Sequence, residues 1–161
     1  MKILITGLTG MVGSHLADYC LAHHPSVEIH GTVRWRSPRD NIGKILNQVH
    51  LHAADLHDLG SLIRLMQDLR PDRIFHLAAQ SYVVDSFSLP ADTIYVNTIG
   101  TTNLLEAVRL SGLDPLIHIC SSSEVYGQVR EDEIPIREDT PCRPASPYAV
   151  SKGGEAMSGR Q

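Results

Sequence analysis

The feature that most constrains the fold is a trio of glycines placed between an apolar run and a helical pattern near the start of the chain. Residues 2–16 read KILITGLTGMVGSHL, with the spacing Gly-x-x-Gly-x-x-Gly. Gly7 permits a tight turn after a strand, Gly10 lets the backbone approach a phosphate, and Gly13 lets the following helix pack closely. The helix N-terminus adds N–H donors and the positive end of its dipole. The pattern therefore predicts a dinucleotide site rather than a purely structural turn.

Composition and charge limit the class of protein. The 161 residues carry a formal charge of −4, and 42% are hydrophobic, as in one globular domain. We expect no nucleic acid partner from this charge, no membrane span because the apolar runs are short, and no signal peptide because a strand follows the first two residues. Cys20, Cys120 and Cys142 favour a reducing cytoplasm over disulfides or zinc. His50 and His52, which share a strand face, lack a third ligand at metal-binding spacing.

Strands and helices alternate along the chain. The patterns predict strands over 3–5, 27–33, 49–54, 74–77 and 116–120, and helices over 10–23, 59–70, 90–111 and from 147 onward. This alternation predicts an α/β fold with a doubly wound parallel sheet, the Rossmann fold, as one domain over 1–161. Ligands are then expected at the carboxyl ends of the strands.

Two helices have apolar positions at helical spacing, which predicts their inward faces. In the first helix these positions are Val12, Leu16, Tyr19 and Cys20. In the long helix they are Ile94, Leu104, Leu105 and Val108. The long helix also carries many polar residues, and we expect Asn97 to hydrogen-bond a neighbouring strand or loop.

Two arginines follow the second predicted strand, at the position that distinguishes NAD from NADP in this fold. An acidic residue there would bind a ribose 2′-OH and repel a 2′-phosphate. The chain instead has Arg34-Trp35-Arg36-Ser37, with no acid before Asp40. Two guanidinium groups and a hydroxyl suit a phosphate, so NADP is favoured over NAD. The alternative is that both arginines are merely solvated.

A serine cluster and a tyrosine–lysine pair carry the candidate chemistry. Residues 121–127 (SSSEVYG) follow the fifth predicted strand, and residues 146–152 (SPYAVSK) open a helix. Tyr148 and Lys152 are four residues apart and share a helix face. An ammonium beside a phenol favours the phenolate. This suits Tyr148 to move a carbinol proton and leaves Lys152 able to bind the nicotinamide ribose.

Together these motifs resemble those of the extended short-chain dehydrogenase/reductase superfamily. The glycine trio, the serine-rich strand end and Tyr148-x-x-x-Lys152 carry the resemblance. Within the nucleotide-sugar branch, the chain is most similar to the GDP-mannose 4,6-dehydratases. That likeness rests on residues 33–37 (VRWRS), 79–81 (AQS), 122–127 (SSEVYG) and 146–148 (SPY), and the resemblance covers essentially all 161 residues.

The resemblance implies a reaction and four catalytic residues: Ser122, Glu124, Tyr148 and Lys152. Ser122 takes the place of the residue that hydrogen-bonds the sugar 4-oxygen. Tyr148 takes that of the base that removes the 4-OH proton while hydride leaves C4 for NADP. Glu124 falls on the carboxylate that removes the C5 proton, so that water leaves from C6 before the hydride returns there.

The resemblance also implies a set of cofactor contacts and partners. The implied NADP-binding residues are Gly7, Leu8, Thr9, Gly10, Met11, Val12, Gly13, Arg34, Trp35, Arg36, Ser37, Asp55, Leu56, Leu77, Ala78, Ala79, Ser81, Tyr148 and Lys152. GDP-mannose is the favoured nucleotide-sugar substrate, and no metal is expected. A homo-dimer or homo-tetramer is implied as well, with residues 36–42 reaching a neighbouring subunit.

Two departures from the family pattern keep alternatives open. Ser123 stands where some sugar dehydratases have Asp, which leaves Glu124 to serve both proton transfers of the elimination. The superfamily's subunits are about twice this length, so we expect the C-terminal substrate region to be missing. The alternatives are a nucleotide-sugar 4-ketoreductase or epimerase, which needs no C5 base, and a non-catalytic NADP-binding module.

Overall fold

The amino-terminal strand lies at the centre of a five-stranded parallel sheet. The strands are β1 (Lys2–Thr6), β2 (Glu28–Val33), β3 (His50–Ala53), β4 (Arg73–His76) and β5 (Leu116–Ile119). Their order is β3-β2-β1-β4-β5, and every pairing is parallel. The chain adds β2 and β3 on one side of β1 and then β4 and β5 on the other, so the strand order reverses between β1 and β4. Doubly wound folds bind ligands at this switch point. The predicted Rossmann sheet is confirmed, with each strand end within one residue of its predicted position.

The structure is a computed structural model that describes residues Met1–Arg160. The helices are α1 (Met11–His23), α2 (Leu59–Leu69), α3 (Val83–Ser88), α4 (Pro90–Ile94), α5 (Gly100–Leu110) and α6 (Pro147–Ser158). None of these helices is both long and apolar enough to cross a lipid bilayer. The chain forms two compact units, of which the first comprises Met1–Ala79 and Asn103–Cys120 and contains the sheet.

Both faces of the sheet in the first unit are covered by apolar side chains. Ile3, Ile5 and Ile29 pack with Ala17 and Cys20 of α1 on one face. On the other face, a second cluster joins residues of α2 and α5 to the sheet; its members include Leu4, Leu62, Met66, Ile74, Leu104 and Val108. Neighbouring residues of β1 therefore point into two different cores, which explains the continuous apolar run in this parallel strand.

The inward face of α1 differs from its predicted stripe. Of its predicted members, Cys20 lies in the core and Leu16 packs against it, but Val12 is 55% exposed and Tyr19 54%. Gly13 and Ala17 are buried in their place. Gly13 lies against the glycine turn, where a Cβ would be 2.4 Å from the Gly7 carbonyl oxygen, and Ala17 packs with the sheet residues Ile3, Ile5 and Ile29. Close packing at this face requires small side chains, so a prediction based on large apolar residues does not find it.

The second unit comprises Gln80–Thr102 and the chain from Ser121 onward. Helix α4 continues through a π-helical segment, Tyr95–Ile99, into α5, so the predicted long helix contains a change of helical register. Leu104 and Val108 are buried as predicted, but Ile94 is exposed, and the buried side chains in the first half of the helix are those of Thr93, Asn97 and Thr101. The short helix α3 was not predicted. Helix α6 packs against α4, the π-helical segment and the 3₁₀ turn Ser123–Tyr126.

Candidate active site

The glycine trio forms a turn that only glycine fits. Gly7 has a φ of 73°, and a Cβ there would lie 2.9 Å from the Ala78 backbone nitrogen. A Cβ at Gly13 would lie 2.4 Å from the Gly7 carbonyl oxygen. The backbone at Gly7 is therefore packed against the end of β4, the backbone at Gly13 is packed against the turn, and neither position has room for a Cβ.

The end of β4 is fastened to this turn by one threonine hydroxyl. The Oγ1 of Thr6 accepts hydrogen bonds from the backbone N–H groups of Leu77 and Ala78, both at 3.1 Å. It lies 2.7 Å from Nδ1 of the buried His76. These contacts hold two predicted cofactor residues, Leu77 and Ala78, beside Gly7.

The N-terminus of α1 offers the donors that a pyrophosphate needs. Gly10 is the N-cap residue and has no side chain that could accept a hydrogen bond. The first N–H groups of the helix therefore have no side-chain acceptor from that position. The side chains of Met11 and Val12 are exposed. Thr9 is held by its carbonyl oxygen, which accepts a 2.9 Å hydrogen bond from Asn41 Nδ2. Leu8 is fully buried, so only its backbone can reach a ligand.

Residues 34–37 form a self-closed turn at the carboxyl end of β2. The Ser37 Oγ accepts a 3.0 Å hydrogen bond from the Arg34 N–H, and the Ser37 N–H donates to the Arg34 carbonyl oxygen at 3.1 Å. The side chains of Arg34 and Arg36 are exposed, and Trp35 is 94% exposed. Two guanidinium groups on a fixed turn fit a phosphate better than a neutral ribose.

The remaining cofactor candidates are distributed over both units. Asp55 follows β3, and its Oδ1 accepts hydrogen bonds from the His57 N–H at 3.0 Å and from His57 Nδ1 at 2.9 Å. Burial raises the pKa of Asp55, but these hydrogen bonds and the charge of Arg34 outweigh it and leave the pKa lowered. Leu56 is buried. Ala79 belongs to the first unit, as the last residue of its segment Met1–Ala79. Ser81 belongs to the second unit and is exposed.

In the second unit, Ser122 and Glu124 belong to one 3₁₀ turn. Ser122 is its N-cap, and its Oγ accepts a 3.2 Å hydrogen bond from the Glu124 N–H. The hydroxyl keeps its own hydrogen to donate to a ligand. The Glu124 side chain is exposed. Gly127 closes the turn with a φ of 62°, at a point where a Cβ would meet the Arg143 carbonyl oxygen.

Helix α6 begins as its sequence predicts. Ser146 is the N-cap, with its Oγ accepting a 3.0 Å hydrogen bond from the Ala149 N–H, and Pro147 occupies the first turn. Tyr148 and Lys152 both lie on the buried face of the helix. The Lys152 Nζ donates a hydrogen bond to Oε2 of Glu155, which is also buried. Sequence reasoning missed Glu155, although its i+3 spacing from Lys152 marks a side-chain pair.

Asn97 fastens α6 to the loop after β4. Its Oδ1 accepts from the Gln80 N–H at 2.8 Å, and its Nδ2 donates to the Gln80 carbonyl oxygen at 3.0 Å and to Ser151 Oγ at 2.9 Å. Ser151 Oγ in turn donates to the Tyr148 carbonyl oxygen at 2.7 Å. Asn97 thus has the structural role that its sequence context predicted, and it fixes the helix that carries Tyr148.

Three histidines meet at the edge of the sheet in the first unit. His30 Nδ1 lies 3.0 Å from His52 Nε2, and the His30 ring stacks on His50 with centroids 4.7 Å apart. Burial lowers the pKa of His30, and the charges of His50 and His52 lower it further, while Glu28 opposes the shift. Burial also lowers the pKa of His52, with a further contribution from the charge of His50, while Asp68 opposes the shift. Sequence reasoning paired only His50 with His52, because the approach of His30 follows from strand pairing. Within residues 1–160, no group of three or more His, Cys, Asp or Glu side chains has a geometry that could hold a metal ion.

Comparison of the sequence with known proteins identifies one family. The sequence pattern of the family described as GDP-mannose 4,6 dehydratase matches residues 4–160. The GDP-mannose 4,6-dehydratase of Yersinia enterocolitica is 44% identical over 162 aligned residues, which cover 94% of this chain and 42% of that protein. The chain therefore spans less than half the length of this curated relative.

Two solved structures share the fold over nearly the whole chain. DesIV of Streptomyces venezuelae, a dTDP-glucose 4,6-dehydratase solved with NAD and TYD bound, superposes with a TM-score of 0.85 at 30% identity, covering 99% of this chain and 51% of that one. RMD of Pseudomonas aeruginosa, solved with NADPH, gives a TM-score of 0.76 at 36% identity, with coverages of 97% and 47%.

Proposed function

Because the chain belongs to the GDP-mannose 4,6-dehydratase family, we propose that it takes part in converting GDP-mannose to its 4-keto-6-deoxy product with NADP as the cofactor. The observation that most supports this proposal is that α6, which carries Tyr148, packs against the 3₁₀ turn that carries Glu124. Ser122 caps the same turn. Tyr148, the base proposed for oxidation at C4, and Glu124, the second proton acceptor, are therefore carried by adjoining elements of one unit.

The residues of the first unit fit a dinucleotide with a 2′-phosphate. Neither Gly7 nor Gly13 has room for a Cβ, and the N-terminus of α1 has no side-chain cap. The Gly10 N–H already donates to the Gly7 carbonyl oxygen, so the pyrophosphate is assigned to the N–H groups of residues 11–13. Exposed Arg34 and Arg36 are assigned to the 2′-phosphate, together with the Ser37 hydroxyl. Asp55, Leu56, Leu77, Ala78 and Ala79 are assigned to the rest of the cofactor, and so is Ser81 of the second unit.

In the first chemical step, the 4-OH group of the hexose loses its proton to Tyr148. Ser122 donates a hydrogen bond to the sugar 4-oxygen, which orients it toward the phenol. Lys152 supports the phenolate by its positive charge and binds the nicotinamide ribose. A bound NADP would supply reversible hydride transfer, first from C4 and finally to C6, so the net reaction is redox-neutral.

In the second step, the C4 ketone makes the C5 proton acidic because the resulting carbanion is delocalised as an enolate. Glu124 accepts this proton and then gives a proton to the C6 hydroxyl, which leaves as water. Its exposed carboxylate suits a role toward a ligand. C6 then receives the hydride that left C4, and C5 receives the proton that Tyr148 took from the 4-OH group. Tyr148 returns to its starting state, and GDP-mannose yields the 4-keto-6-deoxy sugar nucleotide and one water.

Incubation with GDP-mannose distinguishes the candidate functions. The proposal predicts a 4-keto-6-deoxy product without any added cofactor, because the hydride is recycled on bound NADP. A ketoreductase would consume NADPH only with a keto-sugar, and an epimerase would return a sugar epimer with no loss of water. A protein that binds NADPH but converts none of these sugars would be the non-catalytic module, and the dehydratase proposal would be wrong.

We also propose that the protein acts in the cytoplasm as a homo-dimer or homo-tetramer. Ile94, Ile99, Val150 and Met157 expose apolar side chains on the second unit, which supports self-association. Light scattering at micromolar concentration tests this proposal, and a monomer at all concentrations would contradict it.

A further inference from the structure

A buried carboxylate that the proposed reaction does not use lies one turn after the tyrosine–lysine pair. The side chain of Glu155 is 1% exposed and that of Lys152 is 4% exposed. The Lys152 Nζ donates a hydrogen bond to Glu155 Oε2. Burying two charges costs desolvation energy that their attraction barely offsets, so such a pair is a poor means of stabilising a helix. The pair therefore calls for an explanation other than stability.

The pair belongs to the face of α6 that carries the proposed chemistry. Tyr148, Ser151, Lys152 and Glu155 are all buried and follow the i, i+3, i+4, i+7 spacing of one helix face. Asn97 fixes the middle of this face through its hydrogen bond to Ser151. The backbone of α6 is thus held independently of Glu155, and the carboxylate acts on the lysine side chain.

The lysine side chain needs such a restraint. Four rotatable bonds separate its ammonium from the helix, and an ammonium has three N–H donors without a fixed direction. Glu155 takes one of these donors and defines where the ammonium lies, which leaves two donors for other acceptors. Lys152 acts on Glu155 in turn. Burial raises the pKa of Glu155, while the charge and the hydrogen bond of Lys152 oppose that rise.

We propose that Glu155 is a positioning residue: its carboxylate holds the Lys152 ammonium in the place from which it serves the cofactor ribose and Tyr148. The inference rests on the proposed function for the role of Lys152, but the restraint itself does not depend on the substrate. Glu155 acts through Lys152 alone, so its contribution must vanish when the lysine is absent.

The dissociation constant of NADPH, measured by fluorescence titration, tests the consequence. Glu155→Gln should raise it about tenfold, the size expected when one charge-assisted hydrogen bond to a ligand is lost. In a Lys152→Met background, Glu155→Gln should cause no further change. A matched control is Glu106→Gln, which breaks an exposed glutamate–arginine pair of the same i, i+3 spacing and should leave the constant unchanged.

Glu155→Asp separates positioning from packing. Aspartate keeps the charge but is shorter, whereas glutamine keeps the shape but is neutral. Positioning predicts that the aspartate variant binds NADPH more tightly than the glutamine variant. The opposite order, or equal losses with and without Lys152, would show that Glu155 only fills space or acts elsewhere, and would overturn the inference. If circular dichroism shows that the glutamine variant does not fold, the aspartate variant is used for the same NADPH titration with and without Lys152.

The ammonium signal of Lys152 in ¹H–¹⁵N spectra tests the restraint without cofactor or substrate. A buried, hydrogen-bonded ammonium exchanges slowly with water, so its signal should be visible and should disappear in Lys152→Met. Glu155→Gln should shift or broaden it. If the signal were unchanged, the inference would be wrong even if the protein dehydrated GDP-mannose. If the signal changed while the wild type bound no NADPH, the proposed function would fail and the restraint would stand.

Discussion

Replacing Gly13 by alanine tests whether the glycine turn depends on close backbone packing. The new Cβ would lie 2.4 Å from the Gly7 carbonyl oxygen and 2.8 Å from the Leu8 Cα. Both are backbone atoms, so no side-chain rotation can relieve the overlap. Ordinary contact distances require α1 to move away from the turn by about 1 Å. The movement displaces the same N–H groups that are assigned to the pyrophosphate.

Two opposing effects set the size of the change. Alanine is the better helix former by roughly 0.5–1 kcal/mol, whereas overpacking costs about 1–3 kcal/mol. The overlap with backbone places Gly13→Ala toward the upper end of that range, so the free energy of unfolding should fall by about 1–2 kcal/mol. In a domain of this size, that lowers Tm by roughly 2–8 °C.

Gly153→Ala is the matched control, because this glycine also lies inside a helix but a Cβ there would meet nothing within 4 Å. It should gain the helix propensity alone and raise the free energy of unfolding by about 0.5–1 kcal/mol. Thermal unfolding followed by circular dichroism measures both variants. NADPH titration should show at least about tenfold weaker binding for Gly13→Ala, since the pyrophosphate donors move. Equal stabilisation by the two substitutions would refute the packing argument.

Two further predictions concern cofactor choice and pH. Arg34→Ala with Arg36→Ala should raise the dissociation constant of NADPH by roughly 10–100-fold, the range for losing charge-assisted hydrogen bonds, and change that of NADH far less; equal losses in titrations of both cofactors would remove the phosphate assignment. The lowered pKa values of His30 and His52 mean that the unfolded chain binds more protons than the folded one just below pH 6.5. Their contribution to stability is therefore complete above about pH 6.5 and is lost as the pH falls toward the folded pKa values. Urea unfolding across this range should show that decline, and His30→Gln with His52→Gln should flatten it; an unchanged slope would contradict the assignment.

The sheet could be predicted from the sequence because its strands are short segments, either apolar like β1 or alternating like β2, that are bounded by turn residues and separated by helical patterns. The face of α1 could be predicted only in part: Leu16 and Cys20 were predicted correctly. Gly13 packs against the glycine turn and Ala17 against the sheet, and neither carries a large apolar side chain that a sequence pattern would mark. The π-helical segment Tyr95–Ile99 also escaped prediction. It contains Asn97, whose partners at Gln80 and Ser151 are brought near only by tertiary packing.

Part of the candidate site follows from local spacing, and part depends on the fold. The i, i+4 relation of Tyr148 and Lys152 is a helical property, and the structure places both on one buried face. The partner of Lys152 is Glu155, whose role depends on the burial of that face. His30 approaches His52 across two paired strands. Strand register decides that contact, and the sequence of either strand alone does not contain it.

The most direct test of the central claim, that Tyr148 and Glu124 act on one hexose, is conversion of GDP-mannose in D₂O. The account predicts that the wild-type product carries deuterium at C5, because the original C5 hydrogen leaves with the water by way of Glu124. The hydrogen added to C5 comes from Tyr148, which took it from a 4-OH group already deuterated by the solvent. Glu124→Gln should keep NADP binding and transient reduction of the cofactor, since oxidation at C4 uses Tyr148, but should give no C5 exchange and no loss of water. Deuterium at C5 at the wild-type rate in the Glu124→Gln protein would contradict the account.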